Sequence, residues 1–248
     1  MTLQEFFREN PKAALAFSGG VDSAYLLYAA QQCGAQVRAY YVKTAFQPLF
    51  ELEDARRLAE QLHADMRELT VDILVNDTVR SNPADRCYHC KQLIFSEILR
   101  AAERDGFSVL MDGTNASDDA GDRPGMRALR ELSVRSPLRE CGLTKQEIRE
   151  RSREAGLFTW DKPAYACLAT RVPTDMEITA DRLERTERAE ACLSALGFRD
   201  FRVRLSGDAA KIQVKETQLA LVLEQREAIL EELKKIYTDV WLDLEVRK

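Results

Sequence analysis

The chain has 248 residues, enough for one large domain or two smaller ones with a proper core. Hydrophobic residues make up 45% and charged residues 31%, an ordinary soluble globular balance, and a net charge of −5 argues against a protein that coats nucleic acid nonspecifically. No apolar run reaches membrane-spanning length, and the opening MTLQEFFRENPK lacks the basic head and apolar body of a secretory signal, so a cytoplasmic location without a membrane partner is expected.

The apolar run 13–17 reads as a buried strand, and 22–33 reads as a helix closed by Gly34. Between them stands Ser18-Gly19-Gly20-Val21-Asp22-Ser23. A strand that enters a glycine turn and then a helix points backbone N–H groups and the positive helix end at an anion. Gly19 and Gly20 permit tight turning and close backbone approach. Ser18 and Ser23 can donate to phosphate oxygens, and Asp22 can help hold magnesium (Mg²⁺). No Gly-Lys-Ser/Thr follows, so this is not a Walker A loop. The string resembles the PP-loop of the ATP pyrophosphatases, which cleave ATP to AMP and pyrophosphate and so activate a carboxylate, amide or ring carbonyl as an adenylate.

Further along, 37–42 reads as a second strand, 49–63 as a helix with one apolar face, and 66–71 as a third strand. A helix is expected over about 90–104, followed by a buried strand at 109–111 that ends in Asp112-Gly113-Thr114-Asn115. This βαβα rhythm predicts a doubly wound parallel α/β sheet, whose ligands lie beyond the carboxyl ends of the strands. Residues 144–156 form a charged amphipathic helix, with Thr144 and Glu147 at capping-box spacing. A non-periodic stretch from Phe158 to Pro173 reads as the domain connection. It divides a first domain, 1–172, from a small α+β domain, 173–248, with helices at about 179–196 and 216–236 and strands at 201–205, 210–214 and near 240–246.

There are six cysteines, more plausibly reduced, catalytic or metal-bound than paired in such a chain. Cys87-Tyr88-His89-Cys90 is a CxxC placed just before a helix, and Cys167 lies in KPAYACLATR. A lone CxxC is ambiguous between half a zinc site, a redox pair and a pair of cluster ligands. Three thiolates can also hold three irons of a 4Fe-4S cluster and leave the fourth open for a hydrosulfide. Cys33, Cys141 and Cys192 read as packed thiols.

Several strings then agree with one another: AFSGGVDS, RCYHCK, DGTN followed by GDRPG (121–125), SPL (136–138), KPAYACLATR, and FRVR followed by KIQV. Together they resemble the LarE family of PP-loop sulfur transferases, over most of the chain. The resemblance implies that ATP adenylates a carboxylate of a pyridinium-3,5-biscarboxylic acid mononucleotide, that pyrophosphate leaves, and that a sulfur nucleophile displaces AMP to give a thiocarboxylate for nickel-pincer cofactor assembly. Some members sacrifice a cysteine one position before Cys167, where this chain has Ala166; others carry three cysteines that resemble a cluster site. The resemblance therefore implies Cys87, Cys90 and Cys167 as iron ligands. It also implies an ATP site of Ser18, Gly19, Gly20, Asp22 and Ser23, with Gly113 on the adenine side. Lys91 and Arg171 match basic residues near the reacting centre. Arg202 and Arg204, two apart on a strand and so on one side, match a pair that would hold the mononucleotide phosphate. Asp118 and Glu190 match acidic positions of the family site, and Gln213 stands where an acid is expected. The family forms homo-oligomers. A tRNA thiolase, an ATP or AMP sensor without turnover, and an iron–sulfur or nickel carrier are the alternatives the same residues leave open.

Overall fold

The structure is a computed structural model that describes residues 1–118 and 124–247. The chain parts into two compact units: Met1–Ile73 with Asp85–Lys162, and Leu74–Ala84 with Pro163–Lys248. The first unit therefore ends before the boundary at 172 expected from sequence, and the second takes a segment from the middle of the chain.

In chain order the elements are α1 (Leu3–Glu9), β1 (Lys12–Ala16), α2 (Val21–Gln32), β2 (Gln36–Lys43), α3 (Leu49–Gln61), β3 (Asp65–Thr70), α4 (Asp77–Arg80), α5 (Arg86–Arg104), β4 (Leu110–Met111), α6 (Pro124–Glu131), α7 (Pro137–Glu140), α8 (Lys145–Glu154), α9 (Ala180–Ala195), β5 (Arg202–Ser206), β6 (Ala209–Gln213), α10 (Leu219–Glu224), α11 (Arg226–Leu233) and β7 (Asp239–Leu242).

The sheet of the first unit has the order β3-β2-β1-β4, and every pairing in it is parallel. Side chains of a strand alternate between faces, and the core divides accordingly. Ala13, Leu15, Ala39 and Tyr41 face a cluster built with α1, α2, α3, α7 and α8. Ala14, Tyr40 and Val42 face a second cluster with Phe95, Ile98, Ala101 and Ala102 of α5 and Leu129 of α6. Helices thus cover both faces, which is the doubly wound α/β architecture. The chain walks outward from β1 to β2 to β3, then returns across the other face to place β4 on the far side of β1. The point where the order reverses lies between β1 and β4, where such sheets open a crevice at the strand carboxyl ends.

Several element bounds differ from the sequence expectation; the strand expected near 240–246, for one, runs Asp239–Leu242. The helix expected from residue 90 begins at Arg86, so the CxxC lies inside its first turns. Nothing in Arg86–His89 breaks a helix, and the actual break is upstream, at Asn82 (φ 59°) and Pro83. The helix expected over 216–236 is divided into α10 and α11, which meet at Gln225. Gly121, Asp122 and Arg123 of the GDRPG string lie outside the described residues.

In the second unit β5 pairs antiparallel with β6, and β6 pairs parallel with β7. Residues 74–84 belong to it through specific bonds. Asn82 Nδ2 donates to the carbonyl of Pro173 at 2.7 Å, and the amides of Asp175 and Ile178 donate to the carbonyls of Asn82 and Arg80. Among the described residues no helix is long and apolar enough to cross a membrane.

Candidate functional site

The PP-loop-like string occupies the turn from β1 into α2, at the reversal point of the sheet. Gly20 is the N-cap of α2, and among the described residues no side chain caps the first turn. The first N–H groups of the helix are then open to an anion. Gly19 turns the chain at φ +70°, where a side chain would also meet Ala55 of α3 at 3.0 Å. Two hydroxyls lace the loop: Ser23 Oγ donates to the Gly20 carbonyl at 3.2 Å, the Ser18 amide donates to Ser23 Oγ at 3.3 Å, and the two Oγ atoms stand 3.1 Å apart.

The turn after β4 closes on this loop. A Cβ built on Gly113 would lie 2.9 Å from the Ser23 amide nitrogen and 3.2 Å from its Cα. Only glycine permits that approach. Asp112, which is buried, holds the turn by accepting from Thr114 Oγ1 at 2.5 Å and Ser136 Oγ at 2.7 Å. Asn115, also buried, donates through Nδ2 to Asp22 Oδ1 at 3.3 Å, and its amide donates to Asp118 Oδ2 at 2.9 Å. The other oxygen of Asp22 accepts from Lys145 Nζ at 2.5 Å. Burial, offset in part by Lys145, pushes the Asp22 carboxyl above the usual carboxylate range. The set Ser18, Gly19, Gly20, Asp22, Ser23 and Gly113 is thus gathered in one unit. It offers what a metal-bound polyphosphate requires: oriented N–H groups, hydroxyl donors and a carboxylate. Lys145 and Asn115, which the sequence alone does not single out, complete it.

Cys87 and Cys90 stand three apart in the first turns of α5 and so share one face. Cys87 is exposed and Cys90 half-buried, and Arg86 Nη2 lies 3.7 Å from Cys87 Sγ. Lys91 follows them, its aliphatic stem against Gly125, where a Cβ would meet Cδ and Cε at 3.2 Å. The remaining thiol, Cys167, belongs to the second unit. Three thiols suit an iron–sulfur cluster in donor chemistry. Within either unit, however, no group of three or more His, Cys, Asp or Glu among the described residues forms a ready ligand set. Cys33 and Cys141 pack against the core of the first unit, and burial raises both thiols.

In the second unit Cys167 caps the short helical turn Leu168–Arg171, and three arginines hold that loop by its carbonyls. Arg171, 1% exposed, donates through Nη1 to the carbonyls of Ala166 at 2.8 Å and Cys167 at 3.3 Å. Arg202 Nη2 donates to the Ala164 carbonyl, and Arg204 Nη1 donates to that of Thr170, both at 2.8 Å. Glu190, on α9, supplies counter-charge to Arg171. It accepts from Arg171 Nε at 2.8 Å and Nη2 at 3.1 Å, from the Tyr165 hydroxyl at 2.5 Å and from the Val203 amide at 2.9 Å. Burial first, then the charges of Arg171 and Arg247, push the Arg202 guanidinium down to about 10 and lower Arg204 as well. Gln213 meets Arg204 Nε at 3.3 Å without adding a charge. Glu190 and, at Arg204, Asp243 act against that lowering, and Asp200 pairs with Arg247 at 2.8 Å.

The asparagine synthase family model matches residues 6–116. The pyridinium-3,5-bisthiocarboxylic acid mononucleotide synthase of Lactiplantibacillus plantarum is 31% identical over 247 residues, 98% of this chain and 89% of that protein. An uncharacterised protein of Synechocystis is 36% identical over 88% of this chain and 81% of its own length. A tRNA-specific 2-thiouridylase of Thermotoga petrophila is 24% identical over 61% of this chain and 54% of that enzyme.

Proposed function

The chain belongs to the LarE family of PP-loop proteins, and from that premise we propose that it is an ATP-dependent sulfur transferase acting on a carboxylate of a pyridinium-3,5-biscarboxylic acid mononucleotide, in nickel-pincer cofactor assembly. The observation that carries the reading is the Ser18–Ser23 loop at the reversal point of the sheet, closed by Gly113.

In this reading the first turn of α2 would take the ATP phosphates, and Asp22 would hold Mg²⁺. A carboxylate oxygen of the substrate forms a bond to the α-phosphorus. The bond to the bridging oxygen breaks, and its electron pair leaves with pyrophosphate. The acyl adenylate is then open at its carbonyl carbon to a sulfur nucleophile, and AMP departs with the carboxyl oxygen. Arg202 and Arg204 would hold the mononucleotide phosphate, and Lys91 and Arg171 would serve the reacting centre, the roles that the family likeness implies. Cys87, Cys90 and Cys167 would hold a 4Fe-4S cluster, which would supply the sulfur when bound. The enzyme is expected to work as a homo-oligomer.

The test is mass spectrometry after incubation with ATP, Mg²⁺ and the dicarboxylate, in protein reconstituted anaerobically with iron and sulfide. The expected result is AMP and pyrophosphate in equal amounts, together with a product in which sulfur replaces one oxygen. Cys87→Ala, Cys90→Ala and Cys167→Ala should each lose the brown chromophore. Pyrophosphate release without sulfur incorporation would remove the transferase reading, and a full cluster in any of the three variants would remove the ligand assignment.

A further inference from the structure

We propose that Lys145 is the cation that receives the leaving pyrophosphate, held on Asp22 until the nucleotide arrives. The inference rests on the ATP reading above and adds a group that the loop motif does not contain.

Lys145 is the first residue of α8. That is an unfavourable place for a cation, because the positive end of the helix dipole repels it. The backbone there is fixed nevertheless. Thr144 and Glu147 form a complete capping box, the Lys145 amide donates to Ser117 Oγ at 2.9 Å, and the Ala116 amide donates to the Leu143 carbonyl at 2.8 Å. The turn after β4 thus anchors the start of α8 while the four-carbon side chain reaches back to Asp22. Asp22 lies in the first turn of α2, so the contact ties the Lys145 ammonium to a side chain of that turn. The group on which it rests is also the one that Mg²⁺ would take. With the metal nucleotide bound, Asp22 would hold the metal, and the Lys145 ammonium would pair with the terminal phosphates. As the α-phosphorus bond to the bridging oxygen breaks, charge accumulates on pyrophosphate, and Lys145 offsets it without a proton changing hands.

The experiment measures binding of ATP, AMP and inorganic pyrophosphate, each with Mg²⁺, to the full-length protein and to Lys145→Met and Lys145→Arg. In Lys145→Met, ATP and pyrophosphate should bind roughly tenfold to a hundredfold more weakly, the size of one charged hydrogen bond. AMP should bind as in the parent protein, and kcat for pyrophosphate release should fall about a hundredfold. Lys145→Arg should recover most of both. Equal losses for AMP and ATP, or no loss for pyrophosphate, would overturn the assignment. Should Lys145→Met fail to fold, acylation of lysines in the unaltered protein, read by peptide mass spectrometry, tests the same role. Pyrophosphate should protect Lys145 and AMP should not, and absence of that protection would refute the role. These binding arms need no dicarboxylate, so they judge Lys145 even if the sulfur-transfer reaction is not observed.

Discussion

A methyl group at position 113 would have nowhere to go. It would meet the Ser23 amide nitrogen at 2.9 Å and the Asp22 carbonyl carbon at 3.3 Å, both of them backbone, so the turn after β4 and the first turn of α2 would have to separate. Gly113→Ala is therefore expected to destabilise the protein by roughly 1–3 kcal/mol, the usual range for overpacking, and to weaken ATP binding more than tenfold. Urea denaturation and nucleotide titration check the two effects, and unchanged ATP affinity would mean that this contact does not shape the loop. The loop itself is legible from one string, because its residues are contiguous and each has a local reason to be there. Gly113 is visible in the sequence only through family likeness, since its partner, the Asp22–Ser23 backbone, is remote in the chain. Lys145 is less visible still. Its own segment reads as a capping box and a charged helix, and Asp22 is 123 residues away. The one local hint is a lysine at the first helical position, against the dipole.

At the scale of elements, the loop 164–171 has no regular period; from sequence it reads as part of the domain connection and, through family likeness, as the string that carries Cys167 and Arg171. The structure gives it order through side chains that hold main-chain carbonyls, an arrangement no periodicity announces. The expectation that Arg202 and Arg204 share one side of a strand agrees with β5, but what they hold among the described residues includes the loop around Cys167. Glu190 is the key to this arrangement, with Arg171 buried against it. Removing one member of a buried ion pair leaves an uncompensated charge and costs about 3–5 kcal/mol. Glu190→Ala should lower stability by that amount, whereas Glu190→Ala with Arg171→Met should recover part of it. A double-mutant cycle from urea midpoints measures the coupling, and strictly additive losses would show that the pair does not act as one. Because Arg171 also holds the Cys167 carbonyl, cysteine alkylation at position 167 should accelerate in Glu190→Ala relative to Cys87.

Over the whole molecule, the first parallel sheet is well announced by the strand–helix alternation up to residue 111, since each period is local. The division of the chain is not, because Leu74–Ala84 joins residues far downstream. Val79 is fully buried and Asn82 is 1% exposed. The Arg80 carbonyl accepts from the Ile178 amide at 2.8 Å, and the Arg80 side chain pairs with Glu177 at 3.1 Å. A chain ending at Lys162 would keep the sheet but deprive this segment of those partners. Its buried apolar side chain would face water, and the Arg80 peptide would lose the bond that holds it in place. Limited trypsin digestion is therefore expected to cut the shortened chain after Arg80 at least tenfold faster than the full-length protein, a factor equivalent to about 1.4 kcal/mol of local stability if opening is fast relative to cleavage. Peptide mapping by mass spectrometry reads the site directly. Equal rates in the two chains would mean that residues 74–84 fold with the first unit, and that a boundary at 172 would describe the molecule better than one after Lys162.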